Sequence, residues 1–420
     1  MTRSKKPTVI NPENIREADL IVGIPSYNEA DTIAVPTDTA ARGLTEFFPN
    51  ARSVIVNVDN NSPDGTRDAF LDTPTKVPKV YISTPDGMRG KGNNFRNLFK
   101  AAVELNTKAV AVVEADHQSI TPQWIQYVLE PLQGRYDYVT PNYHRHKHDG
   151  TITNHIAYPM IRTLGGIRVR QPIGGDFGFS GRLARAFLAE KLWTDRIAHF
   201  GIDIWMTTIA VARQFNVCQA FLGTPKIHRP KDPAGDLTPM FKEVVSTLFD
   251  LIVEFEYLWK YIGVSRPSTI FGFGLGADEQ PPEVNVDIEA LFSSFRAGCE
   301  NHLDTWQNVI PPAEYHQVMR LLDIEMPDGF VYDSSLWARI VFSFAVAYKN
   351  ASEDERERLM EALIPFYHSR VLSFVNETRN HDAREAEEYL DKITRVFEAE
   401  KYYLIERWDR AKSANGRLFE

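Results

Sequence analysis

The first half of the chain alternates short runs of β-branched apolar residues with stretches of helical spacing, and each apolar run ends on polar or acidic residues. Asp19–Ile24 (DLIVGI), Ser53–Val58 (SVIVNV), Lys79–Ile82 (KVYI) and Lys108–Val113 (KAVAVV) read as buried strands. Thr32–Phe48 and Asn94–Leu105 carry helix-like periodicity between them. Apolar strands separated by helices predict an α/β fold, a mostly parallel sheet with helices on both faces. Ligands of such sheets bind beyond the carboxyl ends of the strands. The residues just after each run are therefore the candidates for chemistry.

From about Pro239 the pattern changes. Met240–Ile262, Val286–Thr305, Pro312–Leu322, Ser335–Lys349, Ser352–Asn376 and Ala383–Lys412 are long amphipathic stretches with few strand signals. The expected division is an α/β domain over residues 1–238 and a helical domain over residues 239–420, with Gly272–Glu283 (GFGLGADEQPPE) as a Gly/Pro-rich loop. The helical region also offers a surface for a homo-oligomer.

A net charge of −9 argues against nucleic acid as a main partner, since phosphate backbones need clustered Lys and Arg. Two distant cysteines, Cys218 and Cys299, predict neither a disulfide framework nor a Cys-rich zinc site and suit a reducing compartment. The basic, polar start (MTRSKKPTVINPEN) is unlike a secretory signal. Runs such as Ala109–Val113 and Ile340–Ala347 fall well short of the ~20 residues needed to cross a bilayer. The expectation is a cytoplasmic protein without a membrane span.

Four strand-terminal segments carry the polar groups. The first strand runs into Pro25-Ser26-Tyr27-Asn28-Glu29, placed to hold a base or ribose, or else an ordinary turn capped by Asn28 or Asp31. The second ends in Asp59-Asn60-Asn61, whose acid can hydrogen-bond a base or ribose, followed by the turn residues Ser62–Thr66. Arg89-Gly90-Lys91-Gly92 precedes a helix; its cations and a helix N-terminus suit phosphate, and its glycines permit close approach. A solvated basic turn is the competing reading. After the fourth strand comes Glu114-Ala115-Asp116, whose i,i+2 carboxylates point to one side of an extended chain. Such oxygens suit a hard divalent cation, which would bridge a diphosphate and stabilise a departing nucleotide.

In this order the segments resemble the GT-A glycosyltransferases, family-2-like members, over roughly Leu20 to Arg229. Glu114 departs from the usual Asp-x-Asp at its first position, which leaves Asp116 the firmer metal ligand. Gln171-Pro172-Ile173-Gly174-Gly175-Asp176, Gly201-Ile202-Asp203-Ile204-Trp205 and Lys226-Ile227-His228-Arg229 are similar to the mannosylglycerate and glucosylglycerate synthase type, which also has a helical C-terminal region.

The resemblance implies hexosyl transfer, of mannose or glucose from a donor such as GDP-mannose or UDP-glucose, to a small hydroxy acid such as D-glycerate, with retention. It implies a divalent metal (Mg²⁺ or Mn²⁺, with Co²⁺ and Ca²⁺ behind them) on Asp116 and His228. Donor contacts fall on Pro25, Tyr27, Glu29, Asp59, Arg89, Lys91, Glu114, Ala115, Gly174 and Gly175. Asp203, near the reacting centre, and Asp116 are the catalytic candidates, with helix capping as the alternative for Asp203. Arg145, Asp149 and Thr153, at four-residue spacing, are the acceptor candidates, Arg145 being suited to a carboxylate. The neighbouring His144, His146 and His148 read as an exposed loop rather than a second metal site.

Other readings remain open. One is an inverting family-2 transferase acting on a lipid or polysaccharide. The others are a sugar nucleotidyltransferase and a non-catalytic nucleotide-sugar-binding protein.

Overall fold

The computed structural model describes residues 7–227, 237–272 and 280–416. Two compact units divide the chain. The first comprises Met1–Arg145, Val169–Pro230 and Pro267–Pro282; the second comprises His146–Arg168, Lys231–Arg266 and Glu283–Glu420. This is not a single cut near residue 238. A 23-residue stretch of the first half, residues 146–168, packs with the helical part.

The first unit is built on a nine-stranded sheet. Its strands are β1 (Thr8–Ile10), β2 (Leu20–Ser26), β3 (Ser53–Asp59), β4 (Lys79–Ser83), β5 (Ala109–Val112), β6 (Tyr138–His144), β7 (Phe177–Ser180), β8 (Val217–Pro225) and β9 (Ile270–Phe271). Across the sheet they run β1-β4-β3-β2-β5-β7-β6-β8-β9. β2 is parallel to both β3 and β5, and β3 to β4. β7 lies antiparallel between β5 and β6. β6, β8 and β9 are again parallel. All seven residues of β2 and all four of β5 are buried, as expected of strands covered on both faces.

From β2 the chain winds outward through β3 and β4, then returns to place β5 on β2's other side. That reversal opens a crevice at the carboxyl ends of β2 and β5, the usual ligand position in such folds. The register sets its depth, since Ser26 lies opposite Asp59 whereas β5 stops at Val112, opposite Gly23. The helices of this unit are α1 (Ala34–Phe47), α2 (Thr66–Asp72), α3 (Lys91–Glu104), α4 (Pro122–Leu129), α5 (Gly181–Ala189), α6 (Asp195–Ala198) and α7 (Ile202–Ala212). α3 lies close on β2 because Gly23 has no side chain; a Cβ there would come within 2.4 Å of Leu98.

The second unit is helical: α8 (Thr238–Glu254), α9 (Ile288–Val309), α10 (Pro312–Leu321), α11 (Ser334–Asn350), α12 (Glu353–Glu377), α13 (Ala383–Ala399) and α14 (Lys401–Gly416). α9 and α12 meet at Gly298, where a Cβ would lie 2.3 Å from Pro365. Residues 146–168 join this unit through buried Arg162, which donates to Glu398 at 3.0 Å and also bonds Asp391 and Thr394. No helix among the described residues is long and apolar enough to cross a membrane. Both cysteines are buried and free.

Candidate functional site

The carboxyl ends of β5 and β8, the turn before β7 and the starts of α3 and α7 bring four acids and two lysines into one region of the first unit. The array begins with Lys91, the first residue of α3. Its place is set by the glycines on either side. A Cβ on Gly90 would come within 2.3 Å of the Ala198 carbonyl, and one on Gly92 within 1.9 Å of the Ile197 carbonyl. Gly90 also adopts φ +120°, which disfavours any side chain. The Gly92 amide donates to the His199 carbonyl at 3.1 Å. These glycines admit the protein's own α6 backbone, and the approach delivers Lys91 to Asp203 on α7.

Lys91 Nζ donates to Asp203 Oδ2 at 3.1 Å and to Glu114 Oε1 at 3.3 Å. Burial works against its charge, but the two carboxylates outweigh it and raise its pKa. Asp203 sits in the first turn of α7, whose N-cap Gly201 has no side-chain cap bond. The aspartate therefore does not cap the helix. It is 7% exposed, and among the described residues its Oδ1 has no hydrogen-bond partner. Burial pushes its carboxyl above the usual range, with Lys91 opposing.

Glu114 follows β5 and accepts from Lys226 Nζ at 2.7 Å through Oε2. Lys226 is 6% exposed. It also donates to the Gly174 carbonyl at 2.6 Å, to the Tyr143 hydroxyl at 3.2 Å and to Asp176 Oδ2 at 3.4 Å. Asp176 Oδ1 accepts from the Glu114 amide at 2.9 Å; its Oδ2 accepts from Tyr143 and lies 3.3 Å from His117 Nδ1. Burial works to raise the Asp176 carboxyl, but Lys226 and His117 prevail and hold it at about 2. The Gly174–Gly175 turn closes on this cluster. A Cβ on Gly175, at φ +89°, would lie 2.1 Å from Glu114 Cδ.

Asp116 is half-buried. Among the described residues its carboxylate makes no hydrogen bond or ion pair. Of the four acids it is thus the one left open at both oxygens. His228, the other expected metal ligand, lies outside the described residues, and among those described no group of three His, Cys, Asp or Glu is placed to hold a metal.

The remaining donor candidates divide by how far the protein has engaged them. Asp59 is fully buried and accepts from the hydroxyls of Ser26, Ser62 and Tyr81 and from the Ser62 amide at 2.6–2.9 Å. Those four donors organise the end of β3 and occupy both oxygens. Glu29 accepts from Thr32 at 2.8 Å, and its amide donates to Thr66. Pro25 and Ala115 are buried, leaving mainly backbone to offer. Tyr27 is half-buried under the Arg89 guanidinium, 4.9 Å from the ring centroid, so these two form a stacked pair at the crevice rim.

The acceptor candidates fall in different units. Arg145 closes the first and stacks on Tyr143 at 4.7 Å. Asp149 and Thr153 belong to the second, Thr153 being 5% exposed in a π-helical turn, Thr153–Ala157. The His-rich stretch is not the exposed loop expected. His144, His146 and His148 are half-buried, and His148 Nε2 lies 3.1 Å from Thr378 Oγ1. Lys147 donates to the carbonyls of Thr378, Arg379 and His381 just past α12, a cation on a helix C-terminus. Burial, then His146 and Lys147, lowers His148 to about 4.

Lys226, Asp176 and Tyr143 were not among the expected site residues. The available signal was a lysine directly after an apolar strand, in the same segment as His228.

With this geometry in place, residues 21–193 match the model of glycosyl transferase family 2. The sheet order and helical layers are those of the GT-A fold. No curated protein matches the chain. Similar solved structures include glucosyl-3-phosphoglycerate synthase from Mycobacterium tuberculosis in complex with Mg²⁺ and UDP (20% identity, 56% of this chain and 79% of that one, TM-score 0.46). Another is the same enzyme with Mn²⁺, UDP and glucosyl-3-phosphoglycerate (20% identity, 56% and 80% covered, TM-score 0.46). A mycobacterial protein matches at 21% identity, with 56% and 74% covered and TM-score 0.46.

Proposed function

We propose that the protein transfers a hexose, mannose or glucose, from a nucleoside-diphosphate sugar to a small hydroxy acid such as D-glycerate, with retention at the anomeric carbon. The observation that carries the transferase reading is the Lys91–Asp203–Glu114 array at the switch point of a family-2 domain. Asp116, whose carboxylate has no partner among the described residues, suits a divalent cation, and the KIHR segment supplies His228 as its partner in sequence. A bound Mg²⁺ or Mn²⁺ supplies charge neutralisation for the leaving diphosphate.

The chain's own residues do the rest. Lys91 places a fixed positive charge beside Glu114 and Asp203 and has one N–H beyond its two ion pairs for a phosphate oxygen. Asp203 presents Oδ1, which has no partner among the described residues, as an acceptor for a sugar or acceptor hydroxyl. Burial of the array makes each of these charges count for more than it would in water. Catalysis then rests on positioning and leaving-group stabilisation. Arg145, a planar fork, suits the acceptor's carboxylate.

The test is a donor-by-acceptor panel, GDP- and UDP-hexoses against D-glycerate, 3-phosphoglycerate, lactate and glycerol, with Mg²⁺ or Mn²⁺. Glycosylation of a hydroxy acid with the donor's anomeric configuration is expected. Turnover confined to neutral or lipid acceptors would refute the acceptor assignment, and full turnover in excess EDTA would refute the metal.

A further inference from the structure

Tyr143 reaches two parts of the first unit at once. It lies near the end of β6, where the pairing with β8 goes out of step. Asn142 pairs with Phe221 but His144 with Pro225, so Tyr143 stands opposite the stretch Leu222-Gly223-Thr224, with Gly223 at φ +77°. An irregularity of this kind bends the strand and re-aims a side chain. The tyrosine is 5% exposed and packs against the Gly174–Asp176 turn, where a Cβ on Gly174 would lie 3.2 Å from Tyr143 Cε2.

Its hydroxyl fastens that turn. The oxygen accepts from the Asp176 amide and from Lys226 Nζ, each at 3.2 Å. Its single proton serves the Gly174 carbonyl, 2.8 Å away, and the Asp176 carboxylate. One phenol thus uses its full hydrogen-bonding capacity on the Gly174-Gly175-Asp176 turn and the lysine beneath it. Burial, then the charges of Asp176 and Glu114, raise its pKa, which keeps the proton in place.

The ring holds something else. The Arg145 guanidinium lies over it, 4.7 Å from the centroid. Trp124 and His117 pack beside it with centroids 5.7 and 6.3 Å away and fix its plane. A guanidinium over an aromatic ring is drawn to the negative face, and a long side chain held there has less rotamer freedom left to lose when it takes a ligand.

We propose that Tyr143 is a positioning residue that joins the two substrate sides: its hydroxyl sets the Gly174–Gly175 turn against the donor sugar, and its ring sets the Arg145 fork against the acceptor's carboxylate. One rigid side chain then carries both, and the separation between donor and acceptor is built into the fold. Holding two reactants at a fixed separation is what lets positioning lower a barrier. The inference rests on the transferase reading above, with Gly174 and Gly175 on the donor and Arg145 on the acceptor, and deepens it.

The experiment is steady-state kinetics of the full chain with UDP-glucose or GDP-mannose and D-glycerate, resolving kcat and the KM of each substrate. Tyr143→Phe keeps the ring and loses the hydroxyl. It is expected to raise the donor KM about two- to tenfold, the scale of one hydrogen bond, and to leave the acceptor KM within about twofold. A ring-fluorinated phenylalanine at the same position keeps the shape and weakens the negative face, so the acceptor KM is expected to rise roughly threefold or more above that of Tyr143→Phe. In an Arg145→Ala background the fluorinated ring is expected to add nothing, the non-additivity of a coupled pair. A tyrosine that only fills the interior would lower stability or kcat without separating the two KM values.

Where loss of the hydroxyl prevents folding, as judged by circular dichroism, a ring-fluorinated tyrosine makes the acceptor comparison against wild type. An unmoved donor KM in folded Tyr143→Phe, equal acceptor KM values for the plain and fluorinated rings, or full additivity with Arg145→Ala overturns the inference and leaves the transferase reading standing. A wild-type acceptor KM in Arg145→Ala, or a wild-type chain that glycosylates no hydroxy acid, overturns the acceptor reading and the inference together.

Discussion

Replacing Lys91 by Met removes the cation between Asp203 and Glu114 and keeps much of the side chain's length. At 3.1 Å and an effective dielectric of about 20, the Lys91–Asp203 attraction is on the order of 5 kcal/mol before desolvation is counted. Water entering the gap recovers part of it, and hydrogen bonds to charged groups typically leave a net of about 1.5–3 kcal/mol. Losing that stabilisation of the carboxylate shifts the Asp203 pKa further upward. The sign follows from the wild type. Burial already raises this carboxyl and Lys91 holds it down, so losing Lys91 favours the protonated form further. If transfer requires ionised Asp203, activity falls as pH drops through the raised pKa. The acid limb of the kcat/KM profile should therefore move to higher pH in Lys91→Met. The assay is a pH–rate series with saturating metal, paired with urea unfolding, since breaking a buried pair typically costs about 3–5 kcal/mol. An unshifted acid limb in a folded, active variant would refute the coupling between Lys91 and Asp203.

Other perturbations read other parts of the site. Gly175→Ala forces a Cβ to 2.1 Å from Glu114 Cδ at a positive φ, so it should cost at least about 1 kcal/mol of stability and most of the activity; a variant with the wild-type melt would contradict this. Asp176, held at about 2 against an ordinary 3.8, contributes about 2 kcal/mol that is present above pH ~4 and lost as pH falls towards 2. Asp176→Asn should therefore lower stability at neutral pH and flatten the acid limb of the unfolding curve, and a parallel curve would argue against the assignment. Arg145→Ala should raise the acceptor KM and spare slow donor hydrolysis, and Arg145→Lys should also be impaired because a point charge does not reproduce the fork. A normal acceptor profile in Arg145→Ala would overturn its assignment to the acceptor's carboxylate.

The parallel half of the sheet was legible because its strands are continuous β-branched runs. Expected and observed bounds differ by one or two residues, as for Asp19–Ile24 against Leu20–Ser26 and Lys108–Val113 against Ala109–Val112. The antiparallel strand Phe177–Ser180 and the strand Val217–Pro225 were not, since FGFS and VCQAFLGTP mix glycine, small and aromatic residues without a clear period. The Arg-Gly-Lys-Gly segment signalled close approach, and there is close approach. Glycine reports that something comes near, however, and not whether it is a phosphate or, as here, the Ile197–His199 backbone. Lys226 was hidden for a related reason. A lysine after a strand normally reaches water, and what buries this one is Asp176, 50 residues away, and Glu114, 112 residues away. The His144–His148 stretch misled likewise, because its docking partner Thr378 lies 230 residues on.

The most direct measurement of the central claim is calorimetric binding of UDP and GDP to the full chain with Mn²⁺. The account predicts one nucleotide per chain, lost in excess EDTA, strongly weakened in Asp116→Asn and measurably weakened in Lys91→Met. Folded wild-type protein that binds neither nucleoside diphosphate, or binds one equally well in Asp116→Asn, would contradict a metal-assisted nucleotide-sugar site at the ends of β2 and β5.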